Sequence, residues 1–235
     1  MSEGIESVCF DLDDTLYAYE RYARAGLDAA ADRLEALTGE RYHEELREIY
    51  FDDGRTEGSF DLLIERNDIP PELVDELVEA YHSVGEPLTA YPETEAVLDR
   101  LGERYELGLI TDGRGGHEKL RRLGIRDRFD SVLVTPTIGR SKHDPTVFER
   151  VLTEMSVDPE AAVYVGDDPR VDFTVPNELG MRTVRLRRGR YRLLEPLTDA
   201  ATPDYEIQHL DELPGTVATI ATAERPTRHR GTDAR

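Results

Sequence analysis

Lysine is almost missing from this chain. Of 29 basic residues among 235, only Lys119 and Lys142 are lysines, and 50 acidic residues bring the formal charge to −21. Nucleic acid and anionic membranes are poor partners for such a chain, because both call for basic patches. An acidic surface with arginine in place of lysine resembles that of proteins from salt-loving microbes, so a halophilic archaeon is the expected source. At ~1 M salt the screening length falls to roughly 3 Å and the self-repulsion becomes tolerable. Cysteine is reduced to Cys9, which excludes an internal disulfide framework and points to the cytoplasm. The start, MSEGIESV, lacks the charged and apolar regions of a signal peptide. No apolar run approaches the ~20 residues of a membrane helix.

What the chain does have is periodicity. Its hydrophobic content of 38% is distributed in short apolar runs alternating with longer amphipathic ones. Residues Ser7–Asp11, Glu106–Thr111, Ser131–Val134, Ala162–Gly166 and Thr183–Leu186 read as strands buried on both faces. Helical patterns cover Glu93–Gly102, Gly116–Leu123, Pro145–Met155 and Arg170–Leu179, with Gly102, Gly124 and Gly180 as left-handed caps. This alternation predicts an α/β fold, a doubly wound parallel sheet with its site at the carboxyl ends of the strands. Between Tyr17 and Leu88 the rhythm breaks into Ala18–Leu37, Tyr42–Tyr50, Phe60–Asn67 and Pro71–His82, all helical in pattern. Residues 17–88 are therefore expected to form an inserted all-helical cap on a core of residues 1–16 and 89–223. The polar tail, residues 224–235, is expected to be disordered.

In so acidic a chain, adjacent carboxylates occur by chance. Asp52-Asp53 follows no strand and reads as a solvated turn. Asp11-Leu12-Asp13-Asp14-Thr15 is different, because it ends a strand, and in extended backbone Asp11 and Asp13 share a side. Two further strands end in Thr111-Asp112-Gly113 and in Gly166-Asp167-Asp168, with Asp172 close behind. Several carboxylates meeting at one sheet edge require a cation to remain ionised, and oxygen-only ligands favour Mg²⁺ over zinc. Thr111, nearby amides and the Lys142 ammonium would bind an anion beside it. In a chain so poor in lysine, Lys142 reads as chemically required, whereas Lys119, mid-helix, reads as surface. Asp14 and Thr15 read as holding the turn; Asp168 is a third ligand or an exposed acid. Tyr17, Tyr19, Arg21 and Arg55 could reach substrate from the cap hinge or cap face but read more readily as solvated helix or turn residues, and His117 and His143 read as polar neighbours of the site.

FDLDDTLY, LITDG, Lys142 with Asp144-Pro145, and VYVGDDPRVDF resemble, in order, the four motifs of the haloacid dehalogenase superfamily of phosphotransferases. The resemblance covers about residues 5–16 and 90–215, and the insert has the position and helical character of that superfamily's first-type cap. Departures are His143 where proline is common, and Val175-Pro176 where small residues are usual. The resemblance implies that Asp11 is the nucleophile, forming an aspartyl-phosphate, and that Asp13 is the general acid and base. It further implies Mg²⁺ on Asp11, the Asp13 carbonyl and Asp167, with Asp172 acting through water, and phosphate on Thr111, the Asp112 amide and Lys142. The function implied is a phosphomonoesterase acting on a small soluble phosphate ester: a sugar, triose or nucleotide phosphate. Phosphomutase is the alternative; a non-catalytic binding protein has no need of Asp11, Asp13, Thr111, Lys142 and Asp167 together. A homodimer is left open.

Overall fold

The computed structural model describes residues 4–56, 58–85 and 88–223; the tail expectation for residues 224–235 lies outside the described residues. Six parallel strands form one sheet in the order β3-β2-β1-β4-β5-β6. They are β1 (Ser7–Phe10), β2 (Glu106–Thr111), β3 (Ser131–Val134), β4 (Ala162–Gly166), β5 (Arg182–Leu186) and β6 (Tyr205–Ile207). Every residue of β1, β4 and β5 is buried, which is why β1 and β4 read as near-continuous apolar runs rather than as alternation, whereas β5 buries Arg182 and Arg185 as well. Register is fixed on both sides of β1, with Cys9 opposite Gly108 of β2 and Tyr164 of β4. The chain winds from β1 through β2 to β3, then returns to the far side of β1 as β4. That reversal opens a crevice at the carboxyl ends of β1, β2 and β4.

Between β1 and β2 the described residues are helical in all their regular structure apart from isolated bridges. They form α1 (Tyr19–Thr38), α2 (His43–Arg47), α3 (Ser59–Arg66) and α4 (Val74–His82) before α5 (Thr94–Gly102). The pattern over Tyr42–Tyr50 is broken: α2 passes into a π turn, Glu48–Asp52. The insert has its own apolar interior, in which Leu34, Leu46, Leu63 and Leu77 are fully buried. Each such side chain contributes about 1.5–3 kcal/mol. α1 and α4 pack so closely that a Cβ on Gly26 would stand 2.7 Å from the Tyr81 ring. The entry and exit of the insert are tied by a bridge between Tyr17 and Ala90, by Tyr91 N donating to Leu16 O (3.1 Å) and by Thr94 Oγ1 donating to the same carbonyl (2.8 Å).

The later crossovers are α6 (Gly116–Leu123), α7 (Pro145–Met155) and α8 (Thr174–Leu179), and α9 (Leu213–Thr222) closes the described chain. Gly124 and Gly180 adopt the expected left-handed caps, but Gly102 does not: α5 runs through it to a right-handed Glu103. α8 starts at Thr174, later than the apolar pattern suggested, because Asp168–Asp172 is occupied by a turn closed through Asp172 N donating to Asp168 O (3.0 Å). No helix among the described residues is long and apolar enough to cross a membrane.

Candidate active site

The loops after β1, β2 and β4 line a cavity of about 520 Å³ whose floor holds Asp11, Asp13, Thr111, Asp112, Lys142, Asp167 and Asp172. All seven residues singled out in the sequence thus come together. Asp11 continues β1 by one more ladder bond, its amide donating to Val165 O at 2.8 Å, so the carboxylate leaves a rigid strand end. Lys142 is 2% exposed and its ammonium donates both to Asp11 Oδ1 and to Asp172 Oδ1, the latter at 2.8 Å. Asp172 Oδ2 accepts from the amides of Asp167 (3.1 Å) and Asp168 (2.9 Å), which folds the β4 loop around it. Thr15 Oγ1 lies 3.3 Å from Asp11 Oδ2 and 3.2 Å from Asp167 Oδ1, so its hydroxyl bridges the carboxylates instead of bonding the turn. Asp14 does hold the turn: in a left-handed conformation (φ 62°), it accepts from Tyr19 N (3.0 Å) and Arg190 Nε (2.6 Å).

Asp112 serves through its side chain as well as its position. Its carboxylate accepts from Thr135 Oγ1 (2.5 Å) and from the Lys142 amide (3.0 Å), anchoring the loop that delivers the lysine. That loop then enters α7 through Asp144, whose carboxylate caps the helix by accepting from Thr146 N at 3.0 Å, with Pro145 at the first turn. Asp168 is neither free nor turned toward the other carboxylates. It is gripped by Arg170, with Nε at 3.0 Å and a terminal nitrogen at 2.8 Å.

The structure corrects the expectation for Lys119. It is 2% exposed, and its ammonium donates to Asp13 Oδ1 (2.8 Å) and Oδ2 (2.9 Å). The rings of Tyr22, Tyr19 and Tyr17 surround it, with centroids 4.8, 4.9 and 5.9 Å from Nζ. Tyr17 is likewise buried rather than solvated, and its hydroxyl donates to Asp13. Gly113 is required beside this pair, since a Cβ there would collide with Asp13 Oδ2 and stand 3.1 Å from Lys119 Nζ. Signals for Lys119 were present: Gly116, Lys119, Leu120 and Leu123 form the buried stripe of α6, and the residue is one of only two lysines.

The two aspartates of the first loop are driven in opposite directions. Burial pushes Asp11 up to about 7 although Lys142 opposes it. Asp167 and Asp172 are raised too, burial being the largest cause for both; Asp11 adds to it at Asp167, while Lys142 offsets it at Asp172. Burial would also raise Asp13, but the Lys119 ammonium and the Tyr17 hydroxyl outweigh it and hold the carboxyl below its ordinary value. Three buried carboxylates share one ammonium around Asp11, so the cluster lacks positive charge. Ligand oxygens of Asp11, Asp167 and Asp172 lie within 4.8 Å of one another, and Asp167 Oδ2 is buried with no hydrogen-bond partner. An all-oxygen set with one orphaned carboxylate oxygen fits a hard divalent cation.

A parallel α/β sheet whose strand ends assemble buried carboxylates and a lysine beside a helical insert defines a class of enzyme fold. Residues 5–180 match the model of the haloacid dehalogenase-like hydrolases, and the chain belongs to that family. A glyceraldehyde 3-phosphate phosphatase of Methanopyrus kandleri is 38% identical over 230 residues, covering 92% of this chain and 99% of that protein. A ribulose-1,5-bisphosphate 5-phosphatase of Halopiger xanaduensis is 31% identical over 198 residues, covering 76% and 83% respectively. Among solved structures, a HAD phosphatase from Thermococcus onnurineus superposes with a TM-score of 0.66 at 27% identity, covering 91% of this chain and 98% of that one.

Proposed function

We propose that this chain is a Mg²⁺-dependent phosphatase that hydrolyses a small phosphate ester in two steps through Asp11. The observation that carries the reading is the Lys142 ammonium donating to both Asp11 and Asp172 beside the orphaned Asp167 Oδ2. Asp11 attacks phosphorus through a carboxylate oxygen, the ester oxygen departs, and an aspartyl-phosphate forms. Asp13, held ionised by Lys119 and Tyr17 in the resting site, takes up a proton before giving it to the departing oxygen, and then takes one from the water that splits the acyl phosphate. Thr111 Oγ1, the Asp112 amide and Lys142 hold the phosphoryl oxygens, and Lys142 offsets the carboxylates. Mg²⁺ would be held by Asp11, the Asp13 carbonyl and Asp167, with Asp172 acting through water. It would supply charge stabilisation to the transferring phosphoryl group. The named relatives, phosphatases of phosphorylated small sugars, support the substrate class.

Release of phosphate from p-nitrophenyl phosphate, with and without Mg²⁺ in high salt, tests the reading. Wild type is expected to need the metal, and Asp11→Asn to lose at least about 10³-fold in kcat, as expected for a lost nucleophile. Folded wild type that releases no phosphate from any ester overturns it, and bisphosphate-dependent isomerisation without release would reassign the chain as a mutase.

A further inference from the structure

The cavity above the carboxylates is lined by two kinds of surface. From the core come Arg170, held by Asp168, Arg190, held by Asp14, and Arg114, exposed at the rim. From the insert come Tyr19, Tyr50, Thr56 and His82, which bring no charged side chain although the chain as a whole carries −21. His82 ends α4, and its Nδ1 lies 3.0 Å from the Tyr22 hydroxyl. That contact engages Nδ1 and leaves Nε2 as the ring nitrogen without a hydrogen-bond partner among the described residues; with the Tyr22 hydroxyl donating, the ring proton stands on Nε2. Burial, with Lys119 and Arg114 nearby, lowers His82 to about 4, against a smaller opposing pull from Asp13, and the imidazole is neutral at pH 7.

Resting on the phosphatase reading, we propose that the site selects esters whose non-phosphate part is neutral and oxygenated, and that His82 determines this specificity by donating Nε2–H to a carbonyl or hydroxyl oxygen. The phosphate end takes up Lys142 and the metal position, and Arg170 and Arg190 already carry an acidic partner each. Neutral donors and acceptors therefore face the remainder of the substrate. Hydrogen-bonding groups facing a bound tail discriminate most strongly against molecules that leave them unpaired.

The test compares kcat/KM for D-glyceraldehyde 3-phosphate, ribulose 1,5-bisphosphate and p-nitrophenyl phosphate in wild type and His82→Ala. Wild type is expected to favour the triose phosphate over the bisphosphate. In His82→Ala the triose phosphate is expected to lose about tenfold more than p-nitrophenyl phosphate, mostly through KM, as one lost hydrogen bond implies. Equal losses on both esters overturn the role of His82, and preference for the bisphosphate overturns the neutral-tail assignment and gives the second anion to Arg114. In either case hydrolysis of p-nitrophenyl phosphate leaves the phosphatase reading standing; no hydrolysis of any ester removes both. Nitrogen NMR of the wild-type imidazole gives a measurement independent of the variant's folding: a proton on Nε2 is expected, and a proton on Nδ1 overturns the assignment.

Discussion

The surroundings of Lys142 and Lys119 are two solutions to one problem, that of keeping an ammonium buried at 2% exposure. Lys142 sits between Asp11 and Asp172, with Asp167 beyond, over the face of Tyr164 at 5.7 Å. Lys119 meets one carboxylate, Asp13, and is otherwise enclosed by the rings of Tyr17, Tyr19 and Tyr22. The first neighbourhood has more carboxylates than ammonium and has the oxygen set that could hold a further cation; the second is balanced one to one. The difference separates two aspartates only two residues apart, raising Asp11 and lowering Asp13. One residue type thus takes opposite shifts in two environments, and a cation on Asp11 would be needed to keep that carboxylate ionised for attack.

Lys142→Met breaks the comparison most severely, since it leaves Asp11 and Asp172 buried without their cation. A loss of about 10²–10³ in kcat is expected, the scale of removing one preorganised charge from a transition state. Steady-state kinetics with p-nitrophenyl phosphate measures it, and activity within a few-fold of wild type would mean that Lys142 does not serve the phosphoryl group. Lys119→Met is expected to cost less, about 10²-fold in kcat with KM changed far less, the lower end of general acid–base contributions. The same measurement on Asp13→Asn should give a comparable loss, and additive losses in the double variant would show that Lys119 does not act through Asp13.

The smallest effect concerns His82. Its proton is taken up near 6.5 in an unfolded chain but near 4 when folded. The folded state therefore loses stability as pH falls from about 6.5 toward 4, because only the unfolded chain gains the proton in that window. Lys119 contributes to the lowering, so Lys119→Met should move the His82 titration upward. Proton NMR of the imidazole ring across pH 3–8 checks both statements; an unmoved midpoint separates His82 from the lysine.

Much of this was legible in residues alone. β2, β3 and β4 begin and end where their apolar runs do, because strands buried on both faces have no polar side to blur the pattern. Asp11, Asp13, Asp167 and Asp172 stood out from other acids by following such strands. Lys119 did not, because its partner lies 106 positions away and its helix, GHEKLRRL, is polar on every other face. Scarcity of lysine selected Lys142 and applied equally to Lys119. Arg190 and His82 were also missed: one reaches Asp14 across 176 positions, the other reaches the cavity only through the packing of α4 on α1.

Cys9 lies in β1 with its side chain fully shielded, and burial pushes its thiol up to about 12. Thiolate is the species that alkylating reagents attack, and here it is absent at neutral pH. Among the sheet's strands, β1 is flanked by β2 and β4, so its release demands that the sheet itself come apart. The chain's single sulfhydryl is therefore a built-in clock for global opening. Its rate of labelling by iodoacetamide counts excursions of the nucleophile's own strand, with no probe added to the molecule.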